Sequence, residues 1–183
     1  YSREWPFLSD ASGFALERDV SGESPRVGVF ACNCGDTLSE HLDLPALVQQ
    51  ASHLPGVETA EILDFACFPE ALGHIQEHVQ SDRLNRVVIA ACSNRTHESL
   101  FQRMMRQSGL NPYLLELVNL REQCSRVHEG HSDLANRKAL EMVRLTVGRV
   151  QLAQPVNKKK HHCRPSALVI GGGLAGMTAG LAI

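Results

Sequence analysis

Cys32, Cys34, Cys67, Cys92, Cys124 and Cys163 are the six cysteines of a 183-residue chain. Thiolates are soft ligands and good nucleophiles. Four of them in one place can hold a [4Fe–4S] cluster, a [2Fe–2S] cluster or a zinc ion. Two in one place can run thiol–disulfide exchange. Six in a chain this long is too sparse for a disulfide scaffold. The segments carrying Cys34, Cys67, Cys92 and Cys124 are separated by 25 to 33 positions. Any meeting of these thiols must therefore come from the fold.

A second chemical signal is Gly171-Gly172-Gly173-Leu174-Ala175-Gly176, preceded by the apolar run Ala167 to Ile170. This is G-x-G-x-x-G after an expected buried strand and before an expected helix. The first glycine makes a tight turn, the second admits a pyrophosphate and the third lets helix and strand pack closely. Phosphate would sit on the helix N-terminus. The acidic residue that completes a dinucleotide site stands about 20 positions further on, beyond Ile183. Residues 167–183 therefore read as the start of an FAD- or NAD(P)-binding domain, with no tight cofactor binding expected of that piece alone.

A third signal is weaker. His74-Ile75-Gln76-Glu77-His78 matches the inverted zinc-peptidase pattern. Ile75 and Val79 belong to a core face, so His74 and His78 are expected toward the flank or solvent, and no third ligand segment is evident. His97, His128, Arg95 and Arg121 follow the cysteine-bearing segments. Each is a candidate to donate to sulfur or to balance charge, beside an ordinary cap or surface role.

The elements that position these groups alternate along the chain. Residues 1–24 form a polar arm in which Trp5, Phe7 and Phe14 are candidate anchors. Strands are expected at Arg26–Cys32, Val57–Cys67, Arg86–Cys92 and Tyr113–Leu120. The second is more polar than the first and so expected nearer an edge. Helices are expected at Pro45–His53 with Asp43 as cap, Pro69–Ser81, Thr96–Gln107 and Asp133–Leu152. A β-α-β-α succession with short connections implies a parallel sheet covered by helices. The expected fold is a three-layer α/β domain over residues 25–153, with about four parallel strands (flavodoxin/Rossmann-like). A basic linker, residues 154–166, leads to the truncated Rossmann-type β-turn-α start.

Parallel strands end on one edge, and ligands bind outside it. Cys32, Cys34, Cys67, Cys92 and Cys124 all fall at or after strand ends, so this topology gathers five sulfurs. Helix N-termini on the same edge favour thiolate. From spacing alone three readings stay open: a metal or cluster, thiol–disulfide redox, or inert core cysteines. Cys163 lies in the linker, outside this group.

The remaining composition excludes other classes. With 18 basic and 20 acidic residues the formal charge is −2, without the basic excess of a nucleic-acid binder. No apolar run is long enough to span a bilayer. The N-terminus lacks the pattern of a secretory signal, so the cytoplasm is the default location. A start on Tyr1 and an end inside an apolar stretch read as a fragment.

Four segments together carry a resemblance. Val27–Gly35, Val87–Glu98, Gly109–Tyr113 and Asn119–Ser125 look like the N-terminal domain of the A-type subunit of heterodisulfide reductase and its relatives. Gly171–Gly176 resembles the start of that family's thioredoxin-reductase-like flavin domain. The resemblance covers about residues 26–183 and implies one component of an iron–sulfur flavoprotein oxidoreductase. Such a component holds a [4Fe–4S] cluster and relays electrons to or from FAD. The resemblance implies Cys67, Cys92, Cys124 and one of Cys32 or Cys34 as ligands, with Cys34 favoured because Gly35 lets the backbone wrap close. No side chain is implied as an acid–base catalyst. The implied partners are other subunits of a redox complex, with ferredoxin or hydrogenase- or dehydrogenase-type electron donors. Asn94 and Arg126 depart from the proline and tryptophan usual at those positions, which touches packing around the cluster rather than the thiols. Residues 1–24 precede the usual family start and suggest a relative of the methanogen protein. The alternatives are a zinc-stabilised docking domain and a thiol–disulfide switch.

Overall fold

The computed structural model describes residues 14–157, 159, 162 and 166–183. They divide into two compact units. The larger is Gly13–Val156, and the other includes Asn157–Ile183.

In the larger unit the chain runs β1 (Val27–Cys32), α1 (Leu44–Ser52), β2 (Val57–Leu63), α2 (Pro69–Ser81), β3 (Arg86–Ala91), α3 (Asn94–Gln107), β4 (Leu115–Asn119) and α4 (Ser132–Leu152). The four strands form one sheet in the order β2-β1-β3-β4. Every neighbouring pair is parallel. The α/β three-layer architecture expected from the alternation is the one observed.

Burial follows position in the sheet. All six residues of β1 and all six of β3 are buried, as continuous apolar strands covered on both faces must be. β2 is mostly half-exposed and lies at one edge, as its polarity predicts. Side chains alternate between two cores. Val27, Val29 and Ala31 pack with Leu44 and Leu47 of α1 and Val143 and Val147 of α4. Phe30 and Cys32 pack with Ile75 and Val79 of α2 and Phe101 and Met104 of α3. Burying each such large apolar side chain stabilises by about 1.5–3 kcal/mol.

The helix ends are specified locally. The Asp43 carboxylate accepts from Ala46 N at 2.9 Å, with Pro45 in the first turn of α1. Such a cap is worth about 1 kcal/mol. Ser93 caps α3 by accepting from Arg95 N at 3.3 Å. At the far end of α4, the buried Arg86 donates to Val150 O at 3.2 Å and Ala153 O at 3.1 Å. A cation among terminal carbonyls satisfies orphan acceptors and suits the helix dipole.

Of the expected anchors, Trp5 and Phe7 lie outside the described residues, and Phe14 is half-buried. The described arm is held instead by Val20, which is buried, and by Arg18, which donates to Leu84 O at 3.0 Å. Asn85, also buried, donates to Ser24 O at 2.9 Å and Glu23 Oε2 at 3.0 Å. Lys158, Lys160, His161 and Cys163 of the expected linker lie outside the described residues.

In the second unit, α5 spans Leu174–Ala182 with Gly173 at its N-cap. The expected buried strand at Ala167–Ile170 is not formed. The segment joins no sheet among the described residues, and Leu168 and Ile170 are largely exposed. A strand needs a neighbour for its backbone hydrogen bonds, and none lies beside it among the described residues. The glycine turn itself is built as expected. Gly171 has φ +107°, and a Cβ at Gly176 would collide with the Gly171 carbonyl.

Candidate functional site

The strand order reverses direction at β1: the chain moves to β2 on one side and to β3 on the other. The crevice between the C-terminal ends of β1 and β3 is the topological switch point, where open parallel sheets bind ligands. Cys32 is the last residue of β1, Cys34 follows it, and Cys92 follows β3.

The chain turns sharply after β1. Cys34, Gly35 and Asp36 have φ of +56°, +60° and +68°. Three consecutive residues in the left-handed region make a tight reversal, and the Cys34 Sγ lies 3.6 Å from the Cys32 Sγ. The β2–α2 loop closes over the same turn. Asn33 N donates to Leu63 O at 2.7 Å, and Ala66 N donates to the Cys32 sulfur at 3.4 Å. Phe65 covers Gly35, where an added Cβ would lie 2.7 Å from its ring.

Cys67 does not end β2 as expected. The strand stops at Leu63, and Cys67 lies four residues later, just before Pro69 opens α2. It still belongs to the C-terminal edge, brought there by the loop that packs on Cys32. Cys124 sits in a π-helical turn, Arg121–Ser125, after β4. Sequence periodicity carries no signal for this rare turn. The Cys124 thiol donates to Ala135 O of α4 at 3.0 Å.

All five described cysteines are free thiols. Burial pushes the Cys32 thiol up to about 12, aided by Cys34 and opposed by the Ala66 N–H. Burial also raises Cys92 against the positive charge of Arg121, and Cys124 against that of Lys138. The expectation that helix N-termini would favour thiolate is thus corrected for these three. Desolvation of a charged sulfur outweighs the helix field in a metal-free site. Metal binding must release these protons.

Two observations bear on what the site fits. Asn33 Oδ1, Glu122 Oε2, Ser125 Oγ and His128 Nε2 are buried without a hydrogen-bond partner, and all belong to the loops of this edge. Each such buried polar atom is costly to leave unpaired. Second, among the described residues no three cysteine sulfurs lie within 4.8 Å of one another. A tetrahedral zinc would need its sulfurs about 3.8 Å apart. The thiols as placed do not have the spacing of a closed tetrahedral zinc site.

Arg121 lies at this edge, as its place after β4 suggests. Its Nε donates to Glu122 Oε1 at 2.6 Å, and its charge acts on Cys92 and Cys34. Arg95 is exposed on the first turn of α3, and His97 is half-exposed there.

His74 and His78 lie on the flank, half-exposed, as expected. The expectation that no third ligand accompanies them is corrected. Glu61 of β2 reaches His74 Nε2 at 2.7 Å and His78 Nε2 at 3.1 Å. The Glu77 of the peptidase pattern is exposed and stands apart from this group. Glu61 escapes a sequence reading because it comes from a neighbouring strand, 13 positions away from His74.

No protein-family model matches the chain. Curated relatives do. Over 158 residues it is 40% identical to the iron-sulfur A-type subunit of the CoB–CoM heterodisulfide reductase of Methanocaldococcus jannaschii, covering 86% of this chain and 24% of that protein. Over 167 residues it is 38% identical to the A-type subunit of the H(2):CoB-CoM heterodisulfide,ferredoxin reductase of Methanothermobacter marburgensis, covering 91% of this chain and 25% of that protein. Over 156 residues it is 38% identical to the A-type subunit of the Ferredoxin/F(420)H(2)-dependent CoB-CoM heterodisulfide reductase of Methanosarcina acetivorans, covering 85% and 20%. The chain spans about a fifth to a quarter of the length of these relatives.

Proposed function

The chain belongs to the family of heterodisulfide reductase A-type subunits, and from that premise we propose that it is the electron-transfer module of an iron–sulfur flavoprotein oxidoreductase. The observation that carries this reading is that Cys32, Cys34, Cys67, Cys92 and Cys124 each fall at or after the C-terminal end of a strand of one parallel sheet, in a chain whose relatives include proteins named as iron-sulfur subunits.

The ligands of a [4Fe–4S] cluster would be Cys34, Cys67, Cys92 and Cys124, with Cys32 the alternative to Cys34. Such a cluster supplies a one-electron relay. The chain's own residues do the rest. The left-handed turn at Cys34 and Gly35 holds the Cys34 sulfur 3.6 Å from that of Cys32. The Ala66 N–H already bonds the Cys32 sulfur, and hydrogen bonds to sulfur raise the potential of such a centre. Arg121 offsets anionic charge beside Cys92 and Cys34. Packed walls from β1 and β3 exclude water from behind the sulfurs.

Gly171, Gly172, Gly173 and Gly176 would accept the pyrophosphate of FAD in a protein of the relatives' length. The close approach of backbone at Gly176 and the open N-terminus of α5 support this. Partners of matching chemistry are other redox subunits of the same complex, together with ferredoxin or a hydrogenase- or dehydrogenase-type donor; the relatives' names carry ferredoxin and H(2). A cytoplasmic location suits this role, and no helix among the described residues is long and apolar enough to cross a membrane.

Electron paramagnetic resonance on dithionite-reduced protein tests the ligand assignment. Serine variants of Cys67, Cys92 and Cys124 should each lose or alter the cluster signal, and Cys34→Ser should do so more than Cys32→Ser. Unchanged signals in the first three variants would overturn the assignment.

A further inference from the structure

Outside the cysteine edge, Glu61, His74 and His78 gather at the junction of the edge strand β2 and α2. Their ligand atoms lie within 4.8 Å of one another. The two histidines are one helical turn apart and so share a face of α2, with ring centroids 4.6 Å apart in an edge-on arrangement. Both present Nε2 to the same carboxylate, His74 to Oε2 and His78 to Oε1.

The hydrogen bonding of His78 points to what belongs between them. His78 Nδ1 lies 2.7 Å from Asp82 Oδ2, which also accepts from Thr59 Oγ1 at 2.8 Å. Asp82 is an acceptor, so Nδ1 carries the proton. Its Nε2 faces the Glu61 carboxylate at 3.1 Å. A cation between that nitrogen and the carboxylate, either a proton or a metal ion, satisfies both. A carboxylate holding the far nitrogen of an imidazole is the outer-shell arrangement that orients histidine ligands on metals.

We infer that Glu61, His74 and His78 bind a divalent transition metal ion of the Zn2+ class, clasping β2 to α2. Two imidazoles and one carboxylate suit zinc and leave a fourth position for water. Tetrahedral ligands at zinc distances stand about 3.3 Å apart, so the present 2.7 and 3.1 Å separations need only a small opening. The three side chains are 36%, 42% and 20% exposed, which leaves an entry path from solvent. The site is distinct from the cysteine edge in its donors, being nitrogen and oxygen without sulfur.

The test is zinc content and zinc X-ray absorption on the full chain with its cysteine centre assembled. The expected result is one zinc retained per chain, with a nitrogen/oxygen shell at about 2.0–2.1 Å and no sulfur at about 2.3 Å. This zinc should survive Cys92→Ser and be lost in His78→Asn and Glu61→Gln. Asp82→Asn should weaken binding by about 10- to 100-fold. No retained zinc, a sulfur shell, or equal binding in His78→Asn and Glu61→Gln would overturn the inference. If those variants fail to fold, the shell in the unaltered chain decides. A sulfur shell would report zinc on the cysteines, a failure of the cluster reading separate from the absence of zinc.

Discussion

The Sγ atoms of Cys32 and Cys34 stand 3.6 Å apart across the turn that leaves β1, yet the two thiols live in different surroundings. Cys32 is buried among the side chains beneath α2 and α3, while Cys34 is half-exposed. Burial keeps Cys32, Cys92 and Cys124 protonated well above neutral pH. Alkylation of the metal-free, reduced chain with iodoacetamide at about pH 8 should therefore label Cys34 and Cys67 ahead of Cys32, Cys92 and Cys124. Peptide mass spectrometry gives the order, and early labelling of Cys32 would contradict it.

The same burial sets a pH dependence. The Cys32 thiol titrates near 9 when unfolded and at about 12 when folded. Between these values the unfolded chain has lost a proton that the folded chain keeps. The stabilisation is thus complete below about pH 9 and is lost as pH rises through about 12. Urea midpoints of the metal-free chain should fall between about pH 8 and about pH 10.5. The fall should be shallower in Cys32→Ala, and equal slopes would remove Cys32 as the cause.

Arg86 is a buried cation with three backbone carbonyls and, among the described residues, no carboxylate bonded to it. Replacing it with Leu strands the carbonyls of Val150 and Ala153 at the end of α4. The expected loss is about 2–4 kcal/mol of folding stability. Chemical denaturation measures it, and a loss under about 0.5 kcal/mol would show that water replaces the guanidinium freely.

Gly35 combines a φ of +60° with a ring 2.7 Å from any added Cβ. Gly35→Ala should cost about 1–2 kcal/mol for the left-handed backbone, and more for the clash. The clash vanishes in a Phe65→Ala background, so the cost of Gly35→Ala should shrink there. A double-mutant cycle in thermal or urea unfolding reads the coupling. Additive effects would mean that Phe65 swings aside without cost.

Much of this was legible in the residues. Apolar runs marked β1 and β3, helical spacing marked α2 and α4, and the polarity of Val57–Leu63 marked an edge strand. The place of Cys32 at the end of β1 and of Cys92 just after β3 followed from the apolar runs that precede them. Three things were not legible. Cys67 reads as a strand end because Phe65 and Ala66 continue the apolar pattern, but both lie in the loop between β2 and α2. The π-helical turn at Cys124 has no periodic signature. Glu61 joins His74 and His78 only through the packing of β2 on α2, which local spacing does not encode. The sign of the thiol shifts was also hidden, since it depends on how deeply each sulfur is buried.

The central claim is that the cysteine edge holds a [4Fe–4S] cluster, and anaerobic iron and acid-labile sulfide analysis alongside the visible spectrum tests it most directly. The prediction is a brown protein with about four iron and about four sulfide per chain. A colourless protein without iron after anaerobic reconstitution would contradict it.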